Sequence, residues 1–193
     1  MYVIFEGVDT SGKSTQIERL KRRNPAVITT KEPGGTPFGL KIRQMILEAT
    51  EPVDATAELF LFLADRAQHY ARVVATHQDQ LVVSDRGFVS GIAYGMANQK
   101  TLDLPLLLTL NRLALGGRFA DKIVFFKTDE ALLLERLGGK THDAIESRGI
   151  AYLLHVQHLM ETVLKRLELP VCVVDARWSE EKIETVIEGF LHD

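Results

Sequence analysis

Residues 2–20 read YVIFEGVDTSGKSTQIERL. The stretch opens with a run of bulky apolar residues, passes through a flexible turn, and ends in a sequence with helical spacing. Gly7, Gly12, Lys13 and Ser14 fit G-x-x-x-x-G-K-[ST], a pattern that ordinary residue usage would produce by chance on the order of once in a hundred chains this long. The residue types explain the pattern. Glycines let backbone N–H groups close on phosphate oxygens with no Cβ in the way. The start of the following helix adds partial positive charge. Lys13 can reach the outer phosphates, and Ser14 offers a hydroxyl to Mg²⁺. Residues Gly7, Val8, Asp9, Thr10, Ser11, Gly12, Lys13, Ser14 and Thr15 are therefore expected to hold a nucleotide polyphosphate, ATP in the simplest case. Lys13 carries no structural duty in this reading.

Working outward, short apolar runs recur at 2–6, 26–29, 81–85, 122–127 and 170–175. They lack polar alternation, which predicts strands buried on both faces of a parallel sheet. Helical spacing lies between them, over 153–167 and over 179–191, where Ser179 is a natural N-cap. Strands alternating with helices predict an α/β fold of right-handed βαβ units. The glycine-rich, polar segment 138–149 sits between two helical patterns and reads as a mobile lid. Nothing else divides the 193 residues, so residues 1–193 are expected to form a single domain.

Composition sets outer limits. Apolar residues make up 46% and charged residues 25%, an ordinary globular balance. The net charge of −3 draws the whole molecule neither to nucleic acid nor to an anionic membrane, so any basic site must be local. Cys172 stands alone in an apolar run and reads as a small core residue in a reducing compartment. The N-terminal apolar run is too short for a signal segment, and no stretch approaches the ~20 residues of a membrane helix. A soluble, cytoplasmic protein is expected.

A phosphate loop leaves two broad classes, a phosphotransferase or a hydrolysing switch. A guanine switch would need N-K-x-D, and the sequence has none. Further segments suit a second anionic ligand. KEPGGTPFG (31–39) is too dense in Pro and Gly to be helical, and Arg43 follows it. LFLFLADRAQHY (59–70) places polar residues at the end of an apolar helix. SDRGFVSGIAYG (84–95) ends a strand in Asp85, where a carboxylate beside a phosphate loop can hold Mg²⁺ or simply cap a helix.

Taken together, FEGVDTSGKST, the EPGGTP loop, LFLADRAQH, and DR followed by AYG resemble the thymidylate kinase family, in family order over the first half of the chain. The resemblance implies transfer of the γ-phosphoryl of ATP to dTMP, a five-stranded parallel sheet and a homodimer. It also implies residue roles. Asp9 lies near the sugar 3′-hydroxyl and acceptor phosphate. Glu32 lies near the metal and the acceptor, and Arg43 holds the acceptor phosphate. Phe62 stacks on thymine, although it could equally belong to the core, and Arg66 reaches the thymine edge. Arg86 clamps phosphates, and Tyr94 crowds the sugar 2′ position. Two positions depart from the family. Gly91 stands where Ser, Thr or Asn is usual, and Gly95 where Gln is frequent, so a water or Ser90 would have to substitute. The phosphate loop also lacks an arginine, which in the family shifts positive charge to the lid. The usual lid arginine is here Ala144, leaving Arg148 as first choice, then Arg136, with Lys140 the third basic residue.

A deoxynucleoside kinase on the same scaffold is the alternative enzyme. It would need a base such as Glu32 or Asp9 to take a hydroxyl proton. A nucleotide-binding regulatory module is the non-enzyme alternative, and it would need no arginine-rich acceptor side.

Overall fold

The computed structural model describes residues 1–99, 101–137 and 149–193. Five parallel strands form its sheet: β1 (Tyr2–Glu6), β2 (Ile28–Lys31), β3 (Val82–Asp85), β4 (Lys122–Lys127) and β5 (Val171–Asp175), in spatial order β2-β3-β1-β4-β5. Among the described residues, eight α-helices flank it: α1 (Lys13–Arg23), α2 (Pro37–Leu47), α3 (Ala55–His69), α4 (Phe88–Asn98), α5 (Leu104–Ala114), α6 (Glu130–Leu137), α7 (Ile150–Leu164) and α8 (Glu180–His192). A π-helical turn over Tyr70–Val74 continues α3.

Strand β1 explains the two-layered core. Its side chains alternate between sheet faces. Tyr2 and Ile4 pack with Phe88, Ile92, Leu153 and Met160 from α4 and α7. Val3 and Phe5 pack on the other face with Ile17, Leu20, Ile183 and Ile187 from α1 and α8. Full burial of each such side chain contributes about 1.5–3 kcal/mol. The strand order reverses beside β1, so the crevice at its carboxyl end is where this architecture places a ligand.

Burial on both faces holds for β1, β3 and β4 and fails at the edges. β2 alternates half-buried and exposed residues, and β5 leaves Val173 half-exposed. β2 also begins two residues later than its apolar run. It pairs with β3 alone, from Ile28 opposite Val82 to Lys31 opposite Asp85, so one partner rather than a core sets its register. Val27, from the expected run, is buried just ahead of the strand.

The 31–39 segment is not wholly non-helical. Pro37 occupies the first turn of α2, where its missing N–H costs nothing, and the Thr36 hydroxyl caps the helix by accepting from Gly39 N at 2.9 Å. Gly39 is required for space, because a Cβ there would lie 2.1 Å from Asp65 Oδ1 on α3. Ser179 caps α8 as expected, its hydroxyl accepting from Lys182 N. Cys172 is partly buried against the α1–α8 face, and burial raises its thiol pKa. Among the described residues, no helix is long and apolar enough to cross a membrane.

Candidate active site

The phosphate loop crosses from the carboxyl end of β1 to the start of α1. Gly12 precedes the helix at φ +100°, a conformation that suits glycine, and the first-turn N–H groups of α1 have no intrahelical partner. Asp9, Thr10, Ser11, Gly12, Lys13, Ser14 and Thr15 line a cleft of about 690 Å³. Gly7 and Val8 stand behind it. The Val8 side chain is fully buried in the core, so what this residue gives the loop is its backbone.

Lys13 has a structural role that its sequence did not suggest. Its Nζ donates to the carbonyls of Gly7 at 3.0 Å and Val8 at 2.9 Å, and to Ser11 Oγ at 3.4 Å. Burial, with the nearby charge of Arg86 adding to it, pushes its pKa down to about 8. Ser14 Oγ donates to Asp85 Oδ2 at 2.7 Å. That hydroxyl–carboxylate pair at the edge of the loop is a set of hard oxygen donors, the chemistry Mg²⁺ prefers. Asp85 does not cap α4, whose N-cap is Gly87.

Arg86 joins the two sides of the cleft. It adopts φ +68°, and its backbone N–H donates to the Phe5 carbonyl. Its guanidinium donates to the Gly7 carbonyl, to Ser90 Oγ, and to Asp9 Oδ1 at 2.5 Å. Burial works to raise the Asp9 carboxyl, but the charges of Arg86 and Lys13 outweigh it and hold Asp9 below the usual carboxylate range. Tyr94 OH stands 3.5 Å from Asp9 Oδ2, and burial raises its pKa although Arg86 opposes this.

Behind Arg86 lies the second cavity. Phe62, Arg66, Ser90, Gly91 and Tyr94 line it, together with Asp9, Glu32, Arg43 and Arg86, which the phosphate-loop cleft shares. Arg43 donates to the Pro33 carbonyl at 3.3 Å. Phe62 is half-buried on this wall.

Glu32 is buried, and both of its oxygens are engaged. Oε2 accepts from Arg66 Nε at 2.8 Å, and Oε1 pairs with His69 Nδ1 at 2.7 Å. Burial tends to raise its pKa, but Arg66 and the His69 hydrogen bond outweigh it and keep the carboxyl low. His69 Nε2 lies 2.8 Å from Thr30 Oγ1. The direct partners of Glu32 are thus Arg66 and His69, and it borders both cavities while held by them. Ser90 lines the second cavity and is engaged as well. Its hydroxyl donates to Glu6 Oε2 and accepts from Arg86, so its one hydrogen is not free for a base.

Three residues here had no assigned role. Glu6 is fully buried and accepts from the N–H groups of Val89 and Ser90 at the start of α4, with burial raising its carboxyl pKa. Its signal was its place between the apolar strand and the first glycine of the loop. His69 lies one helical turn after Arg66, a spacing that puts both on one face. Asn111 is buried on α5 and accepts from Arg66; an amide four residues after Leu107 on an otherwise apolar stripe was the trace it left. Arg136, on α6, donates to the carbonyls of Thr10 at 2.8 Å and Ala176 at 2.9 Å, which ties the phosphate loop to the segment after β5. Arg148, Lys140 and residues 138–148 of the expected lid lie outside the described residues.

The family model described as thymidylate kinase matches residues 5–187. A thymidylate kinase of Campylobacter curvus is 49% identical over 192 residues, covering 99% of each chain. One from Sulfurovum sp. is 50% identical over 192 residues, again covering 99% of each. A solved thymidylate kinase from Ehrlichia chaffeensis superposes with a TM-score of 0.77 at 23% identity, over 100% of this chain and 98% of the other, a likeness of fold. The chain belongs to the thymidylate kinase family.

Proposed function

We propose that this chain transfers the γ-phosphoryl of ATP to dTMP, giving dTDP and ADP on the way to dTTP. The observation that carries the reading is the shared wall of the two cavities, where Asp9, Arg43 and Arg86 border both the phosphate-loop cleft and the cavity behind it. Such a wall lets two polyanions meet in line, which is most of what phosphoryl transfer requires. The dTMP phosphate is ionised at neutral pH, so its oxygen attacks the γ-phosphorus without a strong base. The bond from the γ-phosphorus to the β–γ bridging oxygen breaks, and ADP leaves. Lys13, Arg86 and the first-turn amides of α1 stabilise the charge that spreads over the transferring group. Lys13 exchanges its loop carbonyls for phosphate oxygens as ATP binds. Arg43 holds the acceptor phosphate, Phe62 stacks on the base, Arg66 reads the base edge, and Tyr94 crowds the 2′ position. Asp9 keeps Arg86 aimed between donor and acceptor.

Ser14 and Asp85 would hold Mg²⁺ beside the polyphosphate. When bound, the ion neutralises phosphate charge and orients the γ-phosphoryl. Arg148 supplies positive charge from the lid over 138–149, a role resting on the sequence alone. Arg136, whose donors go to the carbonyls of Thr10 and Ala176, serves as a strap on the phosphate loop. The chain works as one kinase unit in the cytoplasm and as a homodimer. The packed pair α2 and α3 supports the dimer, because it leaves Phe38, Met45 and Phe60 50%, 59% and 58% exposed.

An ADP-release assay with Mg·ATP against nucleosides and their monophosphates tests the reading. dTMP should support far faster release than thymidine. Equal use of the two would favour the deoxynucleoside kinase, and no release with any acceptor would favour a regulatory module.

A further inference from the structure

Arg66 is a buried cation whose donors can be counted. A guanidinium has five N–H groups. Nε donates to Glu32 Oε2 at 2.8 Å, Nη1 to Asn111 Oδ1 at 2.5 Å, and Nη2 to the Gly87 carbonyl at 3.0 Å. One N–H remains on each terminal nitrogen. Both terminal nitrogens lie 3.0 Å from the point where a Cβ on Gly91 would stand. Gly91 and Arg66 line the same cavity, so the terminal edge of the guanidinium borders it through the gap that the missing side chain leaves.

Asn111 is itself held. Its Nδ2 donates to the Leu107 carbonyl one turn earlier on α5, at 2.7 Å, which leaves Oδ1 as the end that faces Arg66. Three elements therefore grip the cation: the loop after β2 through Glu32, α5 through Asn111, and the start of α4 through Gly87. A fork gripped on three sides cannot swing to suit a different partner. Its free N–H groups can only donate. A pyrimidine carrying a carbonyl at position 4 accepts from them, whereas one carrying an amino group there sets N–H against N–H. A buried donor left facing a donor is the arrangement that discriminates most strongly.

We propose that Asn111 is a positioning residue for base choice: by holding Nη1 of Arg66 in the space opened by Gly91, it sets the preference for a 4-keto over a 4-amino pyrimidine monophosphate. The proposal rests on the reading that Arg66 faces the base. It also accounts for the glycine at 91. A polar side chain there would both read the base and crowd the guanidinium, and its absence moves that duty onto a more tightly fixed arginine.

The test compares kcat and KM for dTMP, dCMP and ATP in four variants. Asn111→Ser keeps a hydroxyl that can donate to the Leu107 carbonyl but cannot reach Arg66. Losing one hydrogen bond to a charged group predicts a rise of about tenfold or more in the dTMP KM, with the ATP KM unchanged. The ratio of kcat/KM for dTMP over dCMP should fall with it. Asn111→Asp keeps an acceptor for Nη1 and should hold that ratio near the parent value. Gly91→Ala presses a Cβ on both terminal nitrogens and should lower the ratio by an independent route, so the proposal stays open to refutation if Asn111→Ser fails to fold. Arg66→Lys separates the two layers. If Arg66→Lys leaves dTMP KM and the ratio unchanged, Arg66 does not read the base. If Arg66→Lys lowers the ratio while folded Asn111→Ser leaves it intact, the base reading stands and the positioning role of Asn111 is overturned; Gly91→Ala leaving it intact overturns that role too, because the ratio then does not depend on where the terminal nitrogens of Arg66 are held.

Discussion

Lys13 and Arg66 are both buried cations, one in the phosphate-loop cleft and one in the cavity behind it, and they are held in different ways. Lys13 donates to two neutral carbonyls and a hydroxyl of its own loop. Burial without a paired carboxylate leaves its pKa near 8. Arg66 is paired with a buried carboxylate and gripped by an amide and a carbonyl from distant segments. Neutral carbonyls are weak competitors for an ammonium once a polyphosphate arrives, because charge-assisted bonds are roughly twice as strong. A buried ion pair has no better partner to exchange for. In the proposed function, the donor side therefore rearranges on binding, whereas the base end of the acceptor side is set before the substrate comes.

The largest effect should come from breaking the preformed side. Glu32→Ala leaves Arg66 and His69 without their shared carboxylate, and breaking such a buried pair should cost about 3–5 kcal/mol of stability. Urea unfolding measures it; a cost below that of a surface ion pair would mean that the network is not holding Arg66. Lys13→Ala comes next. Turnover should fall by about a hundredfold or more, the scale of one preorganised charge aimed at a transition state. Because Lys13 also ties Gly7 and Val8 together, a modest drop in Tm should accompany the loss. Near-normal turnover in a folded variant would remove the phosphate-loop assignment.

Arg43→Ala should raise the dTMP KM by roughly ten- to a hundredfold, the worth of one hydrogen bond to a charged group, and leave the ATP KM within a few-fold. A larger effect on ATP would move Arg43 to the donor side. The smallest effect concerns protons. With its pKa pushed down to about 8, Lys13 is partly neutral at pH 8.5 in the free protein, and phosphate oxygens raise that pKa. ATP binding at pH 8.5 should then take up a fraction of a proton, and ATP affinity should weaken as pH climbs past 8. Calorimetry in buffers of differing ionisation enthalpy reads the uptake directly. No uptake in the parent protein, or the same uptake in Lys13→Ala, would deny that Lys13 titrates there.

The contrast also explains what could be read from the chain. The donor side is one contiguous loop, so spacing alone exposed Gly7 through Thr15, and the strand before it located the sheet. The acceptor side draws Glu32, Arg66, Arg86 and Asn111 from separate elements, and contacts across so many residues leave no local spacing. Asn111 left only a faint trace, because a lone amide on an apolar helix has no meaning until its partner is known. Glu32 and Ser90 were visible as polar residues in motifs, but their partners, His69 and Glu6, are set by packing. Edge strand β2 was misplaced by two residues because its register follows β3 and not its own apolar residues.

Phosphoryl transfer on this chain requires that the γ-phosphate of ATP meet the phosphate of dTMP at the wall shared by the two cavities. The most direct test is transfer of label from [γ-³²P]ATP with Mg²⁺, using dTMP, thymidine or no acceptor. Labelled dTDP is expected in the dTMP reaction, with little labelled product from thymidine and little free phosphate when no acceptor is present. Label appearing as dTMP from thymidine, or as inorganic phosphate whether or not dTMP is present, would contradict that expectation.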